Sequence, residues 1–152
     1  MLTGIKTILF DLGGTLKLSG QWKLYPDTLS NIERLANIYD LVIAANQPKI
    51  TQEFLEKSGL ATHFSHIYLS ESIGKAKPNN EFFEHIIADT SLNPQHALMV
   101  GDSLAYDILP AHDCGLRTVW IRRESGLLWE IEQGLDRKIR PDYTINSLTE
   151  LT

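Results

Sequence analysis

The chain is 152 residues long, 43% hydrophobic and 22% charged, with a formal net charge of −5. That size predicts a single domain over 1–152 that buries a sizeable core without disulfide or metal staples, and the acidic balance argues against a general nucleic-acid binder. No apolar run approaches the ~20 residues of a membrane span, the start MLTGIKTILF is too short and is broken by Lys6, and one cysteine, Cys114, fits a reducing compartment, so a cytoplasmic protein is expected.

Along the chain, Ile5 to Phe10 reads as a buried strand ended by Asp11-Leu12-Gly13-Gly14. Leu16 to Leu24 has Ser-Gly in its middle and predicts a small hairpin. Pro26 opens a helix with Leu29, Ile32, Leu35 and Ala36 at helical spacing. Leu41 to Ala45 is a second strand, and Pro48 starts a helix with Ile50, Phe54 and Leu55 inward, stopped at Ser58-Gly59. Ile67 to Leu69 is a third strand, and Pro78 begins a helix through Phe82, Phe83, Ile86 and Ile87. Ala97 to Val100 is a fourth strand, followed by a helix over 104–112 and a fifth strand over 118–121. Tyr143 to Ile145 adds an edge strand and Leu148 to Leu151 a short helix. Strands alternating with helices predict an α/β protein with right-handed crossovers and a mainly parallel sheet. Over 125–139, Leu127, Ile131, Leu135 and Ile139 share a helical face weakened by Gly134. That segment packs on the domain edge or offers a partner surface.

Ligands of open α/β sheets bind beyond the carboxyl ends of the strands. Asp11, Asn46 and Asp102 each follow a strand, and Lys77 lies in the loop before the Pro78 helix. An Asp after a strand is by itself an ordinary turn or cap residue; four such signals in this order are hard to assign to turns alone.

These residues carry a resemblance. Asp11-Leu12-Gly13-Gly14-Thr15 resembles the first motif of the haloacid dehalogenase (HAD) superfamily, Asp-x-Asp-Gly-Thr, with one change. Lys77-Pro78 with Phe82-Phe83 resembles the third motif, and Gly101-Asp102-Ser103 with Asp107 the fourth. The match runs over roughly 5–121, and Pro141-Asp142-Tyr143 resembles the family's usual ending. The resemblance implies a Rossmann-like three-layer α/β/α sandwich and Mg²⁺-assisted chemistry on a phosphorylated substrate. Asp11 would be the nucleophile, forming an aspartyl-phosphate. Asp11, Asp102 and the backbone carbonyl of Gly13 would hold Mg²⁺, whose preference is for near-octahedral oxygen ligands. Lys77 would supply charge to the phosphate and to Asp11, Asn46 would help position the phosphate, and Gly14 would let the backbone turn and offer N–H groups to an anion. Asp107 would orient metal ligands or waters; alternatively it only favours a helix start electrostatically. Lys75 competes with Lys77, which is favoured because it directly precedes the proline.

Two departures stand out. Gly13 occupies the place of the second aspartate of the first motif, the family's acid–base, whose loss typically costs about 10²–10⁴-fold. Ala45 replaces the Ser or Thr that precedes Asn46 in the second motif, leaving Asn46 or Gln47 as substitute donors. Three readings follow: a hydrolase, foremost a phosphatase, using another base or a good leaving group; a module that binds Mg²⁺ and phosphate, or a partner; and a dehalogenase in which Asp11 displaces halide from carbon.

The intervals from Asp11 to Asn46 and from Asn46 to Lys77 are too short for a cap domain. An open site suits a phosphorylated macromolecule as well as a small molecule, or a cap lent by another copy in a homo-oligomer. Trp22 and Tyr25 either flank the entrance or pack on the hairpin and first helix. Phe54, Phe82, Phe83 and Trp120 are expected in the core, Cys114 as inert, the five histidines at the surface or in caps, and Arg122-Arg123 and Arg137-Lys138-Arg140 as solvated charges.

Overall fold

A computed structural model of the chain describes residues 1–123 and 139–152. Six strands form one sheet: β1 (Thr7–Phe10), β2 (Asp40–Ala45), β3 (His66–Leu69), β4 (Ala97–Gly101), β5 (Arg117–Ile121) and β6 (Tyr143–Ile145). Their order is β3-β2-β1-β4-β5-β6, and every pairing among them is parallel. The chain leaves β1 toward β2 on one side and later returns to β4 on the other. A crevice therefore opens where the ends of β1 and β4 lie side by side.

The central strands are apolar on both faces, as parallel strands covered by helices must be. Ile8 and Phe10 point to one layer with Ile32, Leu35 and Leu55; Leu9, Val42 and Met99 point to the other with Phe82, Phe83 and Ile86. The first layer is supplied by α1 (Thr28–Ala36) and α2 (Thr51–Lys57), the second by α4 (Asn80–Thr90) and α5 (Leu109–Asp113). This is the three-layer sandwich. A short helix not visible in the periodicity, α3 (Ser70–Ile73), follows β3 and is ended by Gly74 at φ 71°. No helix among the described residues is long and apolar enough to cross a membrane.

Some expectations shift in detail. Ile50 is 64% exposed rather than inward. Residues 48–50 form a turn, with Thr51 N–H bonded to the Pro48 carbonyl, and the helix begins only at Thr51. Its inner face is thus set by Thr51 and Leu55. Leu29 likewise faces outward, while the polar Thr28 and Asn31 are buried with Ile32 and Leu35. The helix expected over 104–112 begins as a wider π-helical turn (Leu104–Ile108), with Ile108 N–H bonded to the Ser103 carbonyl. Pro110 has no N–H for the Tyr106 carbonyl, which favours such a widening. The hairpin is reduced to isolated bridges, Gly13 with Lys17 and Lys17 with Leu24. The amphipathic face proposed over 125–139 lies outside the described residues except for Ile139, which is buried against Leu104, Ile108 and Trp120.

Arg123 is not a solvated charge. Its guanidinium pairs with Asp27 through Nη1 at 3.2 Å and Nη2 at 2.9 Å, donates to the Thr15 carbonyl at 2.9 Å and lies 3.9 Å from the Tyr25 ring. Asp27 also accepts from the Ser147 hydroxyl and the Leu148 N–H, both at 3.0 Å. One carboxylate thus joins the start of α1, the end of β5 and the C-terminal turn. Burial works against the ionised Asp27, but the Arg123, Leu148 and Ser147 contacts outweigh it and hold the carboxyl below its ordinary value. A depressed carboxyl contributes stability above its unfolded pKa and loses it as pH falls through the folded one. Asp27→Asn is expected to lower the thermal midpoint by about 6 °C at pH 7, for about 2 kcal/mol of charge-assisted hydrogen bonding. The gap to wild type should close as pH is lowered below 4 in a calorimetric series.

Candidate active site

Asp11 is the first residue past β1. Its N–H continues the ladder to the Val100 carbonyl at 3.0 Å, which fixes it beside the end of β4. The chain then coils on itself: the Leu12 carbonyl accepts from the N–H groups of Thr15, Leu16 and Lys17 at 3.1, 2.9 and 3.0 Å. Thr15, fully buried, donates to Asp11 Oδ2 at 3.2 Å. Gly14 sits at φ 81°, and a Cβ there would collide with the Asp102 carboxylate. Glycine is therefore required twice over, by backbone conformation and by the approach of an acidic side chain. The Gly13 carbonyl accepts no hydrogen bond among the described residues.

Lys77 is buried, and each of its ammonium protons has a partner: Asp107 Oδ1 at 2.6 Å, the Ala44 carbonyl at 2.8 Å and Asp11 Oδ1 at 2.9 Å. Burial alone would lower the lysine pKa, but Asp107 and Asp11 outweigh it and the group is raised. The ammonium therefore acts through Asp11, with no N–H left over for a ligand. Asp107 lies on the π-helical turn and is also committed, since its Oδ2 accepts from the Ser103 N–H at 3.1 Å. Gly101 makes room for it: a Cβ there would meet the Asp107 side chain. Lys75 lines an adjoining depression of 470 Å³ with Ser70 and Glu71, so of the two lysines it is Lys77 that meets Asp11.

Asp102 follows β4, and its backbone carbonyl accepts from the Trp120 indole N–H at 2.8 Å. Carboxylate oxygens of Asp11, Asp102 and Asp107 lie within 4.8 Å of one another. Burial, then the charges of Asp11 and Asp107, push the Asp102 carboxyl up to about 9, and burial with Asp11 raises Asp107. The cluster holds more negative charge than Lys77 balances. Its remaining donors are hard oxygens, Asp11, Asp102 and the open carbonyl of Gly13, a set whose chemistry suits a small divalent cation such as Mg²⁺.

Asn46 and Gln47 behave differently from each other. The Asn46 carboxamide is a bracket on the Lys77 backbone: Oδ1 accepts the Lys77 N–H at 2.9 Å and Nδ2 donates to the Lys77 carbonyl at 2.8 Å. Asn46 thus positions the lysine loop across 31 residues of sequence. Gln47 turns toward the cleft beside Gly13. The cleft itself, 300 Å³, is lined by Asp11, Gly13, Gln47, Lys77, Asp102 and Tyr106 among others. Among the described residues, the interval from Asp11 to Asn46 adds only the bridged turn, α1 and β2, and that from Asn46 to Lys77 only α2, β3, α3 and a 3₁₀ turn.

Trp22 is 57% exposed, with its ring 5.3 Å from Phe54 and Lys17 Nζ 5.2 Å above it, whereas Tyr25 is covered by Arg123. Cys114 is raised by burial and by Glu84 and Asp113, in keeping with an inert thiol. Sequence reasoning gave no role to Thr15 and took Trp120 for a core residue. The half-buried indole instead holds the loop that presents Asp102, a link between β4 and β5 with no local signature.

A family model described as haloacid dehalogenase-like hydrolase matches residues 15–121, and the chain belongs to that family. The chain is 36% identical over 104 residues to the pyrimidine 5'-nucleotidase YjjG of Escherichia coli, covering 67% of this chain and 43% of that protein. It is 29% identical over 133 residues to the phosphoserine phosphatase of Thermus thermophilus, covering 86% and 51%. The chain thus spans about half the length of these curated relatives. A HAD phosphatase from Thermococcus onnurineus superposes with a TM-score of 0.79 at 23% identity, over 97% of this chain and 96% of that one. A 2-haloacid dehalogenase from Pseudomonas syringae does so with a TM-score of 0.68 at 24% identity, over 85% and 51%. The fold is common to both chemistries and does not choose between them.

Asp102 generates an expectation. Its raised carboxyl keeps its proton in the fold while the unfolded chain releases it, so its contribution to stability falls as pH rises from about 4 to about 9. Asp102→Asn should therefore raise the thermal midpoint by a few °C in chelating buffer at pH 8, roughly 1–2 kcal/mol. The gain should shrink steadily when the melts are repeated toward pH 5.

Proposed function

We propose that the chain is a Mg²⁺-dependent phosphatase working through an aspartyl-phosphate on Asp11. The observation that carries this reading is the Asp11 carboxylate at the mouth of an open cleft, held by Lys77 Nζ at 2.9 Å with Asp102 alongside. Phosphoryl transfer needs an in-line nucleophile and charge neutralisation more than elaborate covalent machinery. Asp11, Asp102 and the Gly13 carbonyl would hold the ion. When bound, Mg²⁺ would neutralise phosphoryl oxygens and relieve the repulsion among the carboxylates.

The chain's own residues do the rest. Lys77 holds one Asp11 oxygen in place, and Asp107 and the Ala44 carbonyl hold Lys77. Thr15 restricts the second Asp11 oxygen. Gly14 brings the backbone close enough for N–H groups to approach an anion. One Asp11 oxygen bonds to phosphorus as the bond to the substrate's leaving oxygen breaks; water then attacks phosphorus, the bond to Asp11 breaks, inorganic phosphate departs and the carboxylate is restored. We read residues 1–152 as one functional unit of a cytoplasmic enzyme. An entrance with so little over it suits a phosphorylated small molecule or a macromolecule, and leaves room for a second copy to supply cover in a homo-oligomer.

The test is a panel of phosphate esters assayed with Mg²⁺ and with chelator, with Asp11→Asn as the blank. Turnover is expected with Mg²⁺, is expected to vanish with chelator, and should fall at least about 10³-fold in the variant. Halide release from 2-haloacids that chelator leaves untouched would replace this reading with displacement at carbon. Binding of Mg²⁺ and phosphate with no turnover of any ester would make the chain a binding module.

A further inference from the structure

The carboxylic acid missing at position 13 has a neighbour in its place. Gly13 lies outside the positive-φ region, and a Cβ built on it would meet a single atom within 4 Å, Gln47 Nε2 at 3.2 Å. The Gln47 carboxamide is oriented from behind. Its Oε1 accepts from the hydroxyl of Thr51 at 3.1 Å, and Thr51, the first residue of α2, is fully buried. The Gln47 backbone carbonyl is held as well, by the Glu71 N–H at 3.3 Å and the Ser70 hydroxyl at 3.4 Å. Nε2 donates to no described residue and borders the cleft that Asp11 and Lys77 share. It is an amide donor in a fixed orientation at the edge of the space a side chain at position 13 would enter.

Resting on the phosphatase reading, we propose that Gln47 holds the leaving oxygen in place of the absent acid, and that the site takes phosphoanhydrides, acyl phosphates above all, rather than alkyl phosphate esters. A carboxamide donates a hydrogen bond and cannot transfer a proton. When an Asp11 oxygen bonds to phosphorus, the bond from phosphorus to the leaving oxygen breaks and the electron pair stays on that oxygen, with no carboxylic acid at position 13 to protonate it. A carboxylate leaves readily on those terms, since its conjugate acid has a pKa of about 4. An alkoxide does not, its conjugate acid being close to water at about 15.7. In the second step water attacks phosphorus, the bond to Asp11 breaks, inorganic phosphate departs and the water's proton passes to phosphate or solvent. With no carboxylate at position 13 to act as base that step is slow, and the phosphorylated Asp11 accumulates.

The experiment uses the full chain with Mg²⁺ on acetyl phosphate, p-nitrophenyl phosphate and glycerol 3-phosphate, following phosphate release and the acid-quenched phosphoprotein by intact mass. The ratio kcat/KM is expected to fall in that order, by at least about 10²-fold from first to last, with phosphoprotein present at steady state on acetyl phosphate. Gln47→Ala, at a half-exposed position where folding is readily checked by circular dichroism, should lower kcat/KM on acetyl phosphate about tenfold or more and reduce the phosphoprotein present at steady state. Gly13→Asp and Gln47→Glu should flatten the dependence on leaving group. Equal kcat/KM on acyl and alkyl substrates, or Gln47→Ala with unchanged kcat/KM, would overturn the inference while Asp11-dependent turnover left the phosphatase reading standing. No Asp11-dependent turnover and no phosphoprotein with any of the three would overturn both.

Discussion

The site is organised by one buried ammonium. Lys77 Nζ stands between two carboxylates and a strand-end carbonyl, and taking such charges out of water is costly unless the geometry is nearly complete. Here it is complete: three donors meet three acceptors, from β2, from the turn after β1 and from the π-helical turn. Because each acceptor belongs to a different element, the lysine ties those elements to one another. It also gives Asp107 a purpose that its place at a helix start would not reveal, namely to hold the ammonium that holds Asp11.

Around that cation the backbone does as much as the side chains. Gly14 and Gly101 are both sites of close approach, one for Asp102 and the other for Asp107. Asn46 uses both ends of its carboxamide to fix the Lys77 backbone, and Trp120 fixes the backbone of Asp102. Acidic groups that repel one another are thus placed by contacts to main chain rather than by mutual attraction. The result is an acidic cleft with an open front, in which oxygens that suit a small cation are already gathered.

What the sequence made legible was local. Strand ends followed by Asp11 and Asp102, and a lysine before Pro78, carry their meaning in a few consecutive residues, and the structure brings Asp11, Lys77, Asp102 and Asp107 together. The illegible parts depend on partners far along the chain. Asn46 looked like a phosphate donor because its partner, the Lys77 backbone, leaves no mark in composition or period. Arg123 looked like solvated charge because Asp27 is 96 residues away. Ile50 was assigned inward because the true first residue of α2 could not be told from the turn before it, and a shift of one residue rotates a helical face by about 100°. The widened turn at Leu104–Ile108 was hidden for the same reason, since its cause is one absent N–H at Pro110.

The knot at Asp27 joins the mouth of the cleft to the far end of the fold. Arg123 reaches the carbonyl of Thr15, whose hydroxyl touches Asp11, while Ser147 and Leu148 reach Asp27 from the last turn. Arg34 on α1 adds contacts to the carbonyls of Leu148 and Leu151. Loosening the tail would therefore be felt first where ligands enter. Changes among the final residues, remote from the cleft, can tune how firmly Asp11 is held.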